Sequence, residues 1–155
     1  MPGTEDRIEA EWQFDANDLA PVESWLAAYH GPAELRVERE APVEHLDTYY
    51  DTADWRVHRA GYALRLRRRN VAAELTLKSL SSQSAVLAAR RELTETLAPS
   101  EDLMADHAVG AVRERVRALR GRTALIPLFS AITRRQIYGL WAADVRAGEV
   151  ALDHT

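Results

Sequence analysis

The chain has 155 residues, 46% of them hydrophobic and 28% charged. That length and balance fit a single domain with a sizeable core and exclude a disordered chain, and no apolar run reaches the length of a membrane span. With no cysteine, disulfides and thiolate zinc sites are excluded, a cytoplasmic location fits, and the net charge of −4 argues against adhesion to duplex nucleic acid by charge alone.

The first patterned stretch surrounds Ile8, Ala10, Trp12 and Phe14, which alternate with Glu9, Glu11 and Gln13. Period-two alternation predicts a half-buried strand, here with a row of carboxylates on its polar face. Asn17 to Gly31 reads as a helix, with Asn17 or Asp18 as cap, Pro21 in the first turn and Leu19, Val22, Trp25, Leu26 and Tyr29 as its apolar stripe. A strand is expected within Val43 to Asp51, and a short helix or turn between Asp51 and Gly61. Leu87 to Leu97 alternates again, with Arg90, Glu92, Thr94 and Thr96 on one face and Leu93, Leu97 and Glu95 on the other. Helical spacing runs from Pro99 to Gly121, bent near Gly110. Leu128 to Trp141 reads as a strand with Arg134 and Gln136 on one side. Val145 to Leu152 is expected to close a hairpin through Ala147 and Gly148.

The centre of the pattern is Tyr62 to Lys78. Tyr62, Leu64 and Leu66 alternate with Arg65, Arg67 and Arg69; after a turn at Asn70 to Ala73, Leu75 and Leu77 alternate with Glu74, Thr76 and Lys78. Paired as a hairpin, the two strands point Arg65, Arg67 and Lys78 the same way. Six arginines fall between Arg56 and Arg69 in an acidic chain, and Lys78 is the only lysine among 20 Lys and Arg. A solvated outer face explains any one such row. A small anionic ligand explains them together, because like charges side by side on a sheet are unfavourable without an anion between them.

Charged pairs recur at strand spacing: Glu9 with Glu11, Arg65 with Arg67, Glu74 with Lys78, Arg90 with Glu92, and Glu149 with Asp153 four apart. The opposite faces are apolar, and helices are available to cover them. A sheet curled with its charged face inward would make a tunnel in which basic rows hold phosphates and acidic rows hold magnesium or manganese. The five histidines show no ligand spacing, and neither a Gly-rich phosphate loop nor a nucleophile elbow is present.

The ordered set Glu9-x-Glu11, YYDT at Tyr49 to Thr52, RLR at Arg65 to Arg67, ELTLK at Glu74 to Lys78, Arg90-x-Glu92, PLFS at Pro127 to Ser130 and EVALD at Glu149 to Asp153 resembles the CYTH superfamily, the triphosphate tunnel metalloenzymes. The likeness is greatest to bacterial inorganic triphosphatases. The resemblance implies an α+β domain over residues 1–155, built on an antiparallel β-tunnel of eight strands with flanking helices. It implies that Arg65, Arg67, Lys78, Arg90 and Arg134 cradle phosphates and that Glu9, Glu11, Glu149 and Asp153 bind Mg2+ or Mn2+. Glu9, Glu11, Arg65 and Lys78 would carry catalysis, while Glu74 and Glu92 would hold the basic side chains in place. No covalent nucleophile is required, which agrees with the absence of cysteine.

Three departures stand out. Gln13 occupies the place of a lysine in the family's opening Glu-x-Glu-x-Lys, and Gln136 that of a frequent basic residue. The sequence stops at Thr155, before the glutamate-rich strand that the family pattern expects, so the tunnel is expected to be incomplete, with its edge covered by another chain, as in a homodimer. A helical CHAD domain that engages polyphosphate is the expected downstream partner. The leading activity is hydrolysis of inorganic triphosphate to diphosphate and phosphate. The alternatives are a non-catalytic module that captures triphosphate or polyphosphate, and a thiamine triphosphatase or class IV adenylate cyclase-like activity.

Overall fold

Period-two alternation becomes strand over most of its length. The computed structural model describes residues 4–29, 31–32, 34–69, 72–80, 87–98 and 110–155, with the backbone alone at 4–10 and 87–91. In chain order the elements are β1 (Thr4–Trp12), α1 (Ala20–Ala27), β2 (Leu35–Arg39), β3 (Val43–Thr52), α2 (Arg56–Arg59), β4 (Tyr62–Arg69), β5 (Ala72–Ser79), β6 (Leu87–Leu97), α3 (Ala111–Arg120), β7 (Leu125–Ala142) and β8 (Val145–His154). This is an α+β fold, and every strand pair with a described register is antiparallel. The chain divides into two compact units: Met1–Phe14 with Leu46–Ala131, and Asp15–His45 with Ile132–Thr155.

In the first unit the strand order is β1-β6-β5-β4-β3-β7. One face of it is apolar: Leu64 and Leu66 of β4, Leu75 and Leu77 of β5 and Leu97 of β6 pack against Val112 and Val116 of α3 and Val57 of α2. Burying each such side chain contributes about 1.5–3 kcal/mol. Glu95 also points to this side and is only 1% exposed. It pairs with the buried Arg113 and accepts the Val112 N–H at 3.2 Å, so it ties β6 to the first turn of α3. Gly121 ends α3 at φ 60°, a conformation glycine adopts without strain.

The YYDT stretch has a structural explanation of its own. The buried Asp51 carboxylate accepts the backbone N–H groups of Thr52, Val57 and His58 at 2.7–2.9 Å, which fixes the turn into α2. Thr52 accepts the Arg56 N–H and donates its hydroxyl to Asp54. The Arg56 guanidinium and that hydroxyl hold the Asp54 carboxyl below its ordinary pKa.

In the second unit β7 lies between β2 and β8. Leu26 of α1, Tyr138 and Leu152 form its core, with Leu19, Val22, Val37 and Val150 against them. Asp18 Oδ1 accepts the Ala20 N–H at 2.9 Å at the start of α1, which ends at Ala27, short of the expected Gly31.

Three points differ from expectation. The short β2 carries only Leu35 and Val37 as apolar signal, too little to reveal it, and exists by pairing with β7. The β7–β8 turn lies at Ala143 and Asp144, with Ala143 at φ 52°, and not at Ala147 and Gly148. Gly148 instead opposes Leu140, and Ala147 is the extra residue of a bulge between Leu140 and Trp141. Trp12 and Phe14, expected on an apolar face, are 67% and 78% exposed; Phe14 lies beyond the end of β1. The helical pattern expected over Pro99 to Val109 falls outside the described residues, as does the Asn70 part of the hairpin turn.

Candidate anion-binding face of the first unit

Side-chain parity decides the site. Successive residues of a strand point to opposite faces, and directly opposed residues of neighbouring strands share a face. The β4–β5 register sets Arg65 against Thr76, Arg67 against Glu74 and Ala63 against Lys78. On one flank β3 sets Asp47 against Arg67 and Tyr49 against Arg65. On the other, β6 sets Glu92 against Lys78 and Thr94 against Thr76. Beyond it, position 9 of β1 opposes position 90 and position 11 opposes position 88. The register thus brings Arg65, Arg67, Lys78, Glu74, Glu92 and positions 9, 11 and 90 to the same face, opposite the leucine core. The side chains of Glu9 and Arg90 lie outside the description; that of Glu11 is exposed.

The cations on this face are held by carboxylates. Arg67, 8% exposed, donates Nε–H to Asp47 Oδ1 at 2.8 Å and Nη2–H to Asp47 Oδ2 at 2.7 Å, a two-point fork. Lys78 pairs with Glu92. Arg65, 7% exposed, is different: its Nη1 lies 3.9 Å from Asp47 Oδ2, and its buried Nε has no hydrogen-bond partner among the described residues. A buried guanidinium without full pairing is costly, and an anion bound beside it removes that cost. Tyr49, opposed to Arg65, stacks on Phe129 with ring centroids 4.7 Å apart.

The second unit treats its predicted residues otherwise. Asp153 is forked to Arg135 at 2.7 and 2.6 Å, and Glu149 accepts from Arg146 at 2.8 Å. The register opposes Arg135 to Asp153 but Arg134 to His154. Arg134 therefore shares a face with Gln136 and the core Tyr138, while Arg135 shares one with Asp153 and Glu149. Gln136 is buried and donates Nε2–H to the Glu40 carbonyl at 2.7 Å, which gives the amide a structural task at that position. Gln13 is exposed, just past β1.

The donor set answers the metal question in part. Oxygen ligands suit a hard divalent cation. Positions 9 and 11 are two residues apart on β1, about 7 Å, a spacing from which two carboxylates can close on one ion. Glu149 and Asp153 are four apart on β8, roughly 13 Å, too far to meet on one ion when both stand off the sheet. Among the described residues, no three His, Asp or Glu side chains gather as a metal site.

Sequence reasoning missed Asp47 and Arg135. Asp47 had a signal: it stands two before Tyr49 and four before Asp51, in phase with the polar face of β3. Arg135 was ambiguous, because in the Arg134–Arg135 doublet a shift of one residue changes the face.

No curated protein matches the chain. The fold resembles the crystal structure of a "putative adenylate cyclase" from Bacillus halodurans at TM-score 0.56 and 18% identity, covering 99% of this chain and 82% of that one. Among the described residues no helix is long and apolar enough to cross a membrane. The CYTH domain model matches residues 22–155, which contain all of the β3–β6 face, and the chain belongs to the CYTH domain family, whose members bind triphosphates, generally with divalent cations.

Proposed function

We propose that this chain is a metal-dependent triphosphatase domain that hydrolyses inorganic triphosphate to diphosphate and phosphate. The observation that carries the reading is Arg65, buried with an unpartnered Nε beside Arg67 and Lys78 on one face. Three adjacent cations match a polyanion whose charge is spread over several oxygens. Stabilising that charge as it moves toward the leaving group is the main task in phosphoryl transfer. Arg65 and Arg67 would bind and orient the phosphates, and Lys78 would follow them as a mobile point charge. Glu92 and Glu74 would steady the cations. Glu9 and Glu11 would hold a magnesium or manganese ion, which supplies Lewis-acid polarisation and a more acidic bound water. Arg90, Arg134, Glu149 and Asp153 remain candidates for phosphate or metal contacts.

A second reading is a module that captures triphosphate or polyphosphate without turnover, in partnership with a CHAD domain. The engagement of Glu149 and Asp153 by arginines favours it. A cyclase activity, the one that the description of the Bacillus neighbour names, or a thiamine triphosphatase activity would need a surface for an aromatic ring, and the Tyr49–Phe129 stack offers one. The deciding experiment is phosphate release from inorganic triphosphate with magnesium, with manganese and with EDTA. Metal-dependent release supports the enzyme. Binding by calorimetry without release supports the capture module. Neither binding nor release overturns both.

A further inference from the structure

Arg67 has a resource that its pairing with Asp47 leaves unspent. The guanidinium is planar and carries five N–H groups. Asp47 takes the Nε–H and one Nη2–H. The two Nη1–H groups and the second Nη2–H remain, and one Nη1–H with that Nη2–H forms a second edge. The carboxylate is itself fixed: Asp47 is 5% exposed and sits directly across from Arg67 in the β3–β4 register. The same Asp47 oxygen that accepts from Arg67 Nη2 lies 3.9 Å from Arg65 Nη1. One carboxylate therefore sets the plane of one arginine and the nearest charge of its neighbour.

We propose that Asp47 is a positioning residue, which turns the free edge of Arg67 toward the bound phosphate chain and holds Arg65 beside it. This rests on the triphosphatase reading above. Asp47 does not touch substrate; it acts through Arg67. Simple electrostatics predicts the opposite effect. A carboxylate beside two phosphate-binding arginines repels a polyanion, so if Asp47 only lowered the local positive charge, its removal would tighten binding. If it positions the fork, its removal lowers the rate, because orientation counts most where the transferring group gathers charge.

Asp47→Asn keeps the shape and removes the charge. Steady-state hydrolysis of inorganic triphosphate with magnesium should show kcat reduced about tenfold or more, with KM unchanged or lower. In an Arg67→Ala background the same substitution should add less than about twofold, since the two act as a unit. Unchanged kcat in Asp47→Asn, or full additivity with Arg67→Ala, overturns the proposal. Should Asp47→Asn fail to fold, as judged by circular dichroism, Arg67→Lys decides: an ammonium can pair with Asp47 but has no second edge, so wild-type kcat there overturns the proposal. The triphosphatase reading fails separately, and takes the proposal with it, if the wild-type protein neither binds nor hydrolyses triphosphate.

Discussion

Two buried arginine–carboxylate pairs lie on opposite faces of the same sheet. Glu95 and Arg113 sit on the leucine side, where the carboxylate also accepts the Val112 N–H at the start of α3. Asp47 and Arg67 sit on the charged side, in a two-point fork, with Arg65 incompletely paired beside them. Burial is similar and chemistry is the same, so neither separates structure from function. What separates them is the company each pair keeps. The first is closed over by a helix and apolar side chains. The second stands among Lys78, Arg65 and Glu92. Buried charge points to a ligand where several cations share one face.

The comparison breaks most sharply by removing one acid. Glu95→Ala takes the Glu95 carboxylate from the buried Arg113 and from the first turn of α3, so it should cost about 3–5 kcal/mol of stability, read by urea or thermal unfolding. A loss under about 1 kcal/mol would place Glu95 in the same class as the surface acids. Arg65→Ala should do the reverse. Triphosphate affinity should fall roughly ten- to hundredfold, the value of hydrogen bonds from a charged donor, while the melting temperature holds or rises. Arg117→Ala, on α3, should leave affinity within about twofold. Equal losses from the two arginines, measured by calorimetry, would remove the charged face from the account.

Gly110 gives a smaller and purely structural contrast. A Cβ there would collide with the Glu95 carboxylate. Because that carboxylate is buried and held by Arg113 and Val112, it cannot swing aside freely. Gly110→Ala should therefore destabilise by about 1–3 kcal/mol, in the range of an overpacked core, without changing triphosphate affinity. An unchanged melting temperature would show that the α3 approach is slack.

Much of this was legible in the sequence because period-two alternation depends on local sterics and on which face is buried. Arg65, Arg67 and Lys78 share a face as their spacing implied, and β6 occupies the expected Leu87–Leu97. What sequence could not supply was register. The fork between Asp47 and Arg67 joins residues 20 apart, and only pairing of β3 with β4 brings them together. The Arg134–Arg135 doublet shows the same limit, since both readings fit the alternation and one hydrogen-bond register chooses. Gln136 looked like a lost cation because the strand hid its partner, the carbonyl of Glu40.

The smallest expected effect tests the second unit. Arg135 and Asp153 form a fork that is well aligned but partly exposed, with side chains 27% and 39% accessible. Screening by water limits such a pair to about 0–1 kcal/mol. Asp153→Asn should accordingly shift the urea midpoint only slightly, and its effect should shrink further in high salt. The same variant speaks to the metal. If Asp153 were a ligand, the magnesium concentration needed for half-maximal triphosphate hydrolysis should rise severalfold in Asp153→Asn. If Arg135 holds it for structure alone, that concentration should stay put while Glu11→Gln raises it. The second outcome would set the carboxylates that serve the ion on β1, two residues apart, and leave those of β8 to their arginines.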